Sequence, residues 1–107
     1  MDAARTSEPM PPEAQLTIRY CTRCQWLLRA AWLAQEALST FGASLKAVTL
    51  EPDAETGGVF VITLNDQIIW DRSVDGGFPE AKVLKQRIRD HAFPHRELGH
   101  SEPHPSS

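Results

Sequence analysis

Tyr20-Cys21-Thr22-Arg23-Cys24-Gln25-Trp26 is the stretch on which the reading of this chain turns. It holds both cysteines of the sequence, with two residues between them. Before it, residues 16–20 alternate apolar and polar side chains; after it, residues 25–41 follow a helical pattern. A Cys-x-x-Cys pair where a strand gives way to a helix is a favoured place for reversible dithiol–disulfide chemistry. Free backbone N–H groups at a helix start, with the positive end of the dipole, stabilise a thiolate, and the thiolate is the nucleophile. Arg23 and Arg29 are expected to lower the thiol pKa in the same sense. The spacing lets one sulfur resolve a mixed disulfide formed on the other.

Outward from this stretch, the pattern predicts one domain. Leu16, Ile18 and Tyr20 share one side of the first strand, with Thr17 and Arg19 on the other, so one face of the sheet is expected to be open. In the helix of residues 25–41, Leu27, Ala31, Ala34, Leu38 and Phe41 form the expected core stripe, widened by Leu28. Gly42 stands where a left-handed C-cap belongs. A second strand is expected over residues 44–50, closed by Glu51-Pro52. Residues 53–58 read as a loop, and residues 59–64 and 67–72 as a hairpin turning at Asn65-Asp66. There Ile68 and Trp70 are expected on the side opposite Ile69 and Asp71. A loop over residues 73–80 leads through Pro79 into a last helix, with Ala81, Leu84 and Ile88 inward and Lys82, Lys85, Gln86 and Arg89 outward. Pro94 ends it.

The predicted architecture is an α/β (α+β two-layer) fold, β-α-β-β-β-α, thioredoxin-like. Its four-stranded mixed sheet has order 2-1-3-4 and both helices on one face. Residues 1–14 read as a disordered leader, 15–93 as the domain and 94–107 as a disordered tail.

Composition narrows the function. A net charge of −3 over 107 residues argues against broad attraction to nucleic acid or an anionic membrane. The polar first residues are not expected to act as a secretory signal, and no apolar run reaches spanning length. The expected compartment is the cytoplasm, where two close cysteines point to catalysis or metal rather than to a structural staple. A closed zinc site needs four ligands; His91 and His95 are four apart but Pro94 interrupts that turn, so no metal is expected. Gly76-Gly77 lacks the further glycines and the lysine of a phosphate loop.

Ile18-Arg19-Tyr20-Cys21-Thr22-Arg23-Cys24-Gln25-Trp26-Leu27-Leu28-Arg29-Ala30-Ala31-Trp32, Gly57-Gly58-Val59-Phe60 and Gly76-Gly77-Phe78-Pro79-Glu80 together resemble the selenoprotein W / SelT / SelH group, the Rdx proteins. The chain is similar to the cysteine-containing bacterial forms over residues 15–93. The resemblance implies a thioredoxin-like fold, a redox-active Cys-x-x-Cys and protein thiols or disulfides as partners. It implies no cofactor beyond glutathione as co-substrate. It matches Cys24 to the family's selenium position, whereas helix-start geometry favours Cys21 as nucleophile; the reading leans to Cys24 with Cys21 resolving. Thr22, Arg23, Gln25, Trp26 and Phe78 are the expected site neighbours. Two functions stand: a thiol–disulfide oxidoreductase, glutathione-dependent, or a redox-sensing binding module without turnover. A monomer or weak homodimer, paired through the open sheet face, is expected.

Overall fold

The computed structural model describes residues 14–95. Along it run β1 (Ala14–Cys21), α1 (Leu27–Phe41), β2 (Leu45–Asp53), β3 (Phe60–Leu64), β4 (Gln67–Asp71), α2 (Arg72–Asp75) and α3 (Ala81–Ala92). The leader and tail expected from the sequence lie outside the described residues, apart from Ala14, which begins β1, and the pair Pro94 and His95. The sheet order is β2-β1-β3-β4, as expected. β1 runs parallel to β2 and antiparallel to β3, and β3–β4 is an antiparallel hairpin.

The alternation in β1 determines where the core sits. Leu16, Ile18 and Tyr20 are buried together with Phe60, Ile62 and Leu64 of β3. α1 covers β1 and β2 and packs on α3, which reaches β4. On the reverse face Thr17 lies between Thr49 and Thr63, and Arg19 between Glu51 and Val61. That polar row needs no cover, which fits the expected open face.

Several local expectations are overturned. The buried side of α1 is Ala30, Leu33, Ala34, Ala37 and Phe41, while Leu27, Leu28, Trp32 and Leu38 are exposed. Small alanines beside Leu33 let the helix backbone lie close on the sheet, and Leu27, Leu28 and Leu38 point away. Leu28, at 81 % exposure, widens nothing. In β4 the register jumps between Ile62 and Thr63, so Ile69 is an extra residue on its strand. The bulge puts Ile69 (3 % exposed) and Trp70 both into the core and leaves Ile68 outside. β2 continues through Pro52 to Asp53 rather than stopping at Leu50; as an edge strand paired only to β1 it tolerates a residue without an N–H.

The connections place the later loops. Asn65, at φ 55, makes the hairpin turn, and its side-chain oxygen accepts a 3.0 Å bond from the Gln15 N–H. That contact gives asparagine a use glycine lacks. Arg72–Asp75 is a short helix where a loop was expected, capped by Asp71 and closed at Gly76 with φ 83. Lys85, expected outward, is buried: its ammonium reaches Glu36 of α1 at 2.9 Å while its stem lies between the helices.

Candidate functional site

β1 delivers Cys21 to the end of the sheet, and a turn carries the chain on to Cys24. The Gln25 N–H bonds the Thr22 carbonyl at 3.1 Å, and Gln25 takes φ 60 to redirect the chain into α1. The helix starts at Leu27 with Trp26 as its N-cap, so Cys24 stands outside the first turn. The donors that stabilise a thiolate here are therefore not those of the helix start. They come from the turn and from the β2–β3 loop: the backbone N–H groups of Gly58, Cys24 and Arg23 all lower the Cys21 pKa, and that of Gly58 also lowers the Cys24 pKa.

Both cysteines are free thiols, and each is the largest influence on the other's pKa. Donation from the Cys24 thiol is the largest effect on Cys21 and brings its pKa to about 7, against the opposing effect of burial. Cys24 is pushed up, first because its proton serves Cys21, then by burial. Of the two thiols, Cys21 is therefore the first to lose its proton. Cys21 is fully buried, and Cys24 is partly exposed. Arg23 lowers the Cys24 pKa slightly, but Arg29 is not among the groups that move either thiol. Its guanidinium lies instead over the Phe78 ring, 4.2 Å from the centre.

Two walls flank the dithiol. The first is the β2–β3 loop, organised by Asp53, a residue the sequence reading did not single out. Its carboxylate accepts the Glu55 and Thr56 N–H groups at 2.8 Å each and pairs with Arg19 at 2.7 Å. These contacts, the Thr56 bond first, hold its pKa down at about 2. The Asp53 carbonyl accepts the Thr22 N–H at 3.1 Å, and the Val59 carbonyl accepts the Cys21 N–H at 2.9 Å. Arg23 bonds the Glu55 carbonyl at 3.3 Å and crowds Gly57, where a Cβ would lie 3.2 Å from its guanidinium nitrogen. An aspartate followed two and three residues later by its bonded N–H groups is an Asx-type turn, and Asp53-Ala54-Glu55-Thr56 carried that signal. Gly58 acts through its backbone, for which no side-chain signal exists.

The second wall is aromatic. Trp26 packs edge-on against Phe78 (4.8 Å) and Phe60 (6.2 Å), and Phe60 against Phe78 (4.9 Å). Phe78 is delivered by the loop after α2, which the Trp70 indole fixes by donating to the Gly77 carbonyl at 2.9 Å. Arg72 lies over Trp26 and Phe78. The structure thus brings Cys21, Cys24, Thr22, Arg23, Trp26 and Phe78 into one neighbourhood. Gln25 lines a shallow cavity of about 420 Å³ together with Tyr20, Thr22, Leu27 and Leu28. Among the described residues no group of three or more His, Cys, Asp or Glu could hold a metal ion.

The model of the Rdx family matches residues 15–90, a span that holds the dithiol and both walls. The chain belongs to the Rdx family. This Rdx chain is similar to a selenoprotein W-related protein from Vibrio cholerae whose crystal structure shows 53 % identity and a TM-score of 0.72, covering 76 % of the chain and 99 % of that protein. It is also similar to a protein from Bordetella parapertussis of known crystal structure, with 65 % identity and a TM-score of 0.71, covering 75 % of the chain and 99 % of that protein. No curated protein matches this Rdx sequence. No described helix is long and apolar enough to cross a membrane.

Proposed function

We propose that this Rdx protein is a thiol–disulfide redox protein of thioredoxin-like type, acting on protein disulfides or glutathione adducts. The observation that carries the reading is the pair of free cysteines Cys21 and Cys24 at the end of β1, with one sulfur buried and the other reachable. Cys24 meets the substrate because it is the exposed sulfur. As it attacks a disulfide, its proton passes to Cys21, the substrate S–S bond breaks, and the leaving sulfur departs as a thiolate. Cys21 then gives up that proton and attacks the Cys24 sulfur, expelling the second substrate thiol and leaving the Cys21–Cys24 disulfide. Backbone donors around Cys21 keep it a competent thiolate for this step. Glutathione restores the dithiol. The test is the rate at which catalytic amounts of protein speed reduction of hydroxyethyl disulfide by glutathione. Turnover lost in both Cys24→Ser and Cys21→Ser supports the reading; a wild-type rate no faster than glutathione alone overturns it.

One observation favours the second reading, a redox-sensing binding module. Leu27 and Leu28 are exposed and share the cavity with Thr22 and Gln25, so closing the disulfide would reshape an apolar surface. Oxidation-dependent capture of partners without turnover distinguishes it.

A further inference from the structure

Arginine is stacked on aromatic rings in two places, and the two differ in one respect. Arg87 lies 4.6 Å over Trp70, and its charge is used within the protein: it pairs with Asp75 at 3.1 Å and donates to the Ile69 carbonyl at 2.8 Å. Arg72 and Arg29 have no such use. Arg72 lies 4.9 Å from the Trp26 ring centre and 5.3 Å from that of Phe78, which Arg29 also covers at 4.2 Å. Neither makes an ion pair among the described residues, where the pairs are Arg19–Asp53, Lys85–Glu36, Arg87–Asp75 and Arg89–Asp90. The Nε–H of Arg72 is moreover buried without an acceptor. A buried donor on a charged group is costly when unmet, so an unpaired one calls for an explanation.

The place suggests the missing acceptor. Trp26 follows Cys24 by two residues, and Phe60 follows Val59, whose carbonyl holds the Cys21 N–H. Two uncompensated guanidinium groups on one aromatic wall, in a protein of net charge −3, are a local feature and not a general basicity. Stacking fixes the plane of a guanidinium and leaves its edge donors free, the geometry that takes a carboxylate on two parallel bonds. We propose that Arg72, supported by Arg29, forms a carboxylate-binding subsite that holds the unreacting end of an anionic low-molecular-weight disulfide while Cys24 attacks its sulfur. The inference rests on the redox reading above and adds to it the charge of the substrate and the residues that select it. Because the subsite binds a group remote from the sulfur, it changes substrate capture and not thiol chemistry.

The test compares two aromatic disulfide probes on the reduced protein in stopped flow at low salt. Dithiobis(nitrobenzoate) carries a carboxylate on each ring; dithiodipyridine is neutral. In each case Cys24 bonds to one probe sulfur, the probe S–S bond breaks and one aromatic thiolate or thione leaves. Arg72→Gln lowers the rate with the anionic probe by about tenfold, the usual order for one lost charge-assisted contact. The neutral probe stays within about twofold, since no ionic contact is involved. Arg29→Gln, an exposed site that leaves folding untouched, shifts the ratio the same way by less. Arg72→Lys, which keeps charge but loses the fork, restores only part of the rate. An unchanged probe ratio in both glutamine variants, equal slowing with both probes, or full rescue by lysine overturns the subsite while leaving the redox reading intact. If the wild-type dithiol reacts with neither probe, both fall.

Discussion

The loop wall and the aromatic wall of the dithiol treat polar groups in opposite ways. On the loop side the groups that hold the turn bond within the protein: Asp53 accepts two backbone N–H groups and pairs with Arg19, and Arg23 reaches the Glu55 carbonyl. On the aromatic side Trp26, Phe60 and Phe78 pack edge to face, and Arg29 and Arg72 stack on them without counter-ions among the described residues. A matched network holds atoms in place. It is suited to setting the properties of the sulfurs, through the Gly58 N–H that the loop presents. An unmatched pair of charges on a fixed platform is suited to meeting something from outside. Substitutions on the two walls should therefore fail in different assays.

The largest effect belongs to the sulfurs between the walls. Cys24→Ser abolishes exchange with a disulfide substrate, while Cys21→Ser still forms a mixed disulfide on Cys24 and keeps it, readable as a stable mass adduct. Release of that adduct at the wild-type rate would show that Cys21 resolves nothing. Next comes the aromatic wall as structure. Phe60 is buried on β3, and Phe60→Ala should cost about 3–5 kcal/mol in urea unfolding, as large-to-small core changes do. Leu28→Ala, on the outer face of the same helix layer, should change stability by under about 0.5 kcal/mol, the range of exposed substitutions.

The loop wall is tested by Asp53→Asn. Loosening the loop withdraws the Gly58 donor, so the first proton of the dithiol, which leaves at about 7, should leave at higher pH. The pH profile of thiol alkylation reads this; an inflection that does not move would separate Asp53 from sulfur tuning. The same residue gives a sign for acid stability. Its folded pKa of about 2 lies below the ordinary 3.8, so its ionised form stabilises the fold fully above that value. The stabilisation is lost as pH falls from about 4 to about 2, so the gap in urea midpoint between wild type and Asp53→Asn should close over that window. A small effect of the opposite sign is expected at Gln25, whose φ of 60 suits glycine better. Gln25→Gly should be neutral or stabilising by up to about 1 kcal/mol, because a left-handed conformation strains any residue with a Cβ.

Much of this was legible in the chain itself. Alternation in residues 16–20 and 60–64, one helix between the first two strands and a turn at Asn65-Asp66 are enough for the sheet order, since a strand–helix–strand unit is parallel and a tight turn is antiparallel. The Cys-x-x-Cys at the strand end marked the candidate site. What resisted reading depended on geometry that periodicity does not carry. Counting apolar residues assigned Leu27 and Leu38 to the core of α1, but close approach to the sheet selects Ala30, Ala34 and Ala37. A bulge at Ile69 breaks the period-two rule without any glycine to announce it. Helix-start logic supplied a thiolate-stabilising device of the right kind in the wrong place, because the turn through Gln25 delays the helix to Leu27. Lys85 was read as outward because it falls off the Ala81, Leu84 and Ile88 stripe, when Glu36 on the neighbouring helix lets it stay buried.

The central claim is that Cys21 and Cys24 exchange two electrons as a unit, with Cys24 as the point of contact. Equilibrating the protein in glutathione buffers of graded potential, quenching with acid and locating each modification by peptide mass spectrometry tests it most directly. The account predicts one two-electron transition between dithiol and the Cys21–Cys24 disulfide, with any glutathione adduct on Cys24. Adducts confined to Cys21, or two cysteines that take up glutathione independently and never bond to each other, would contradict it.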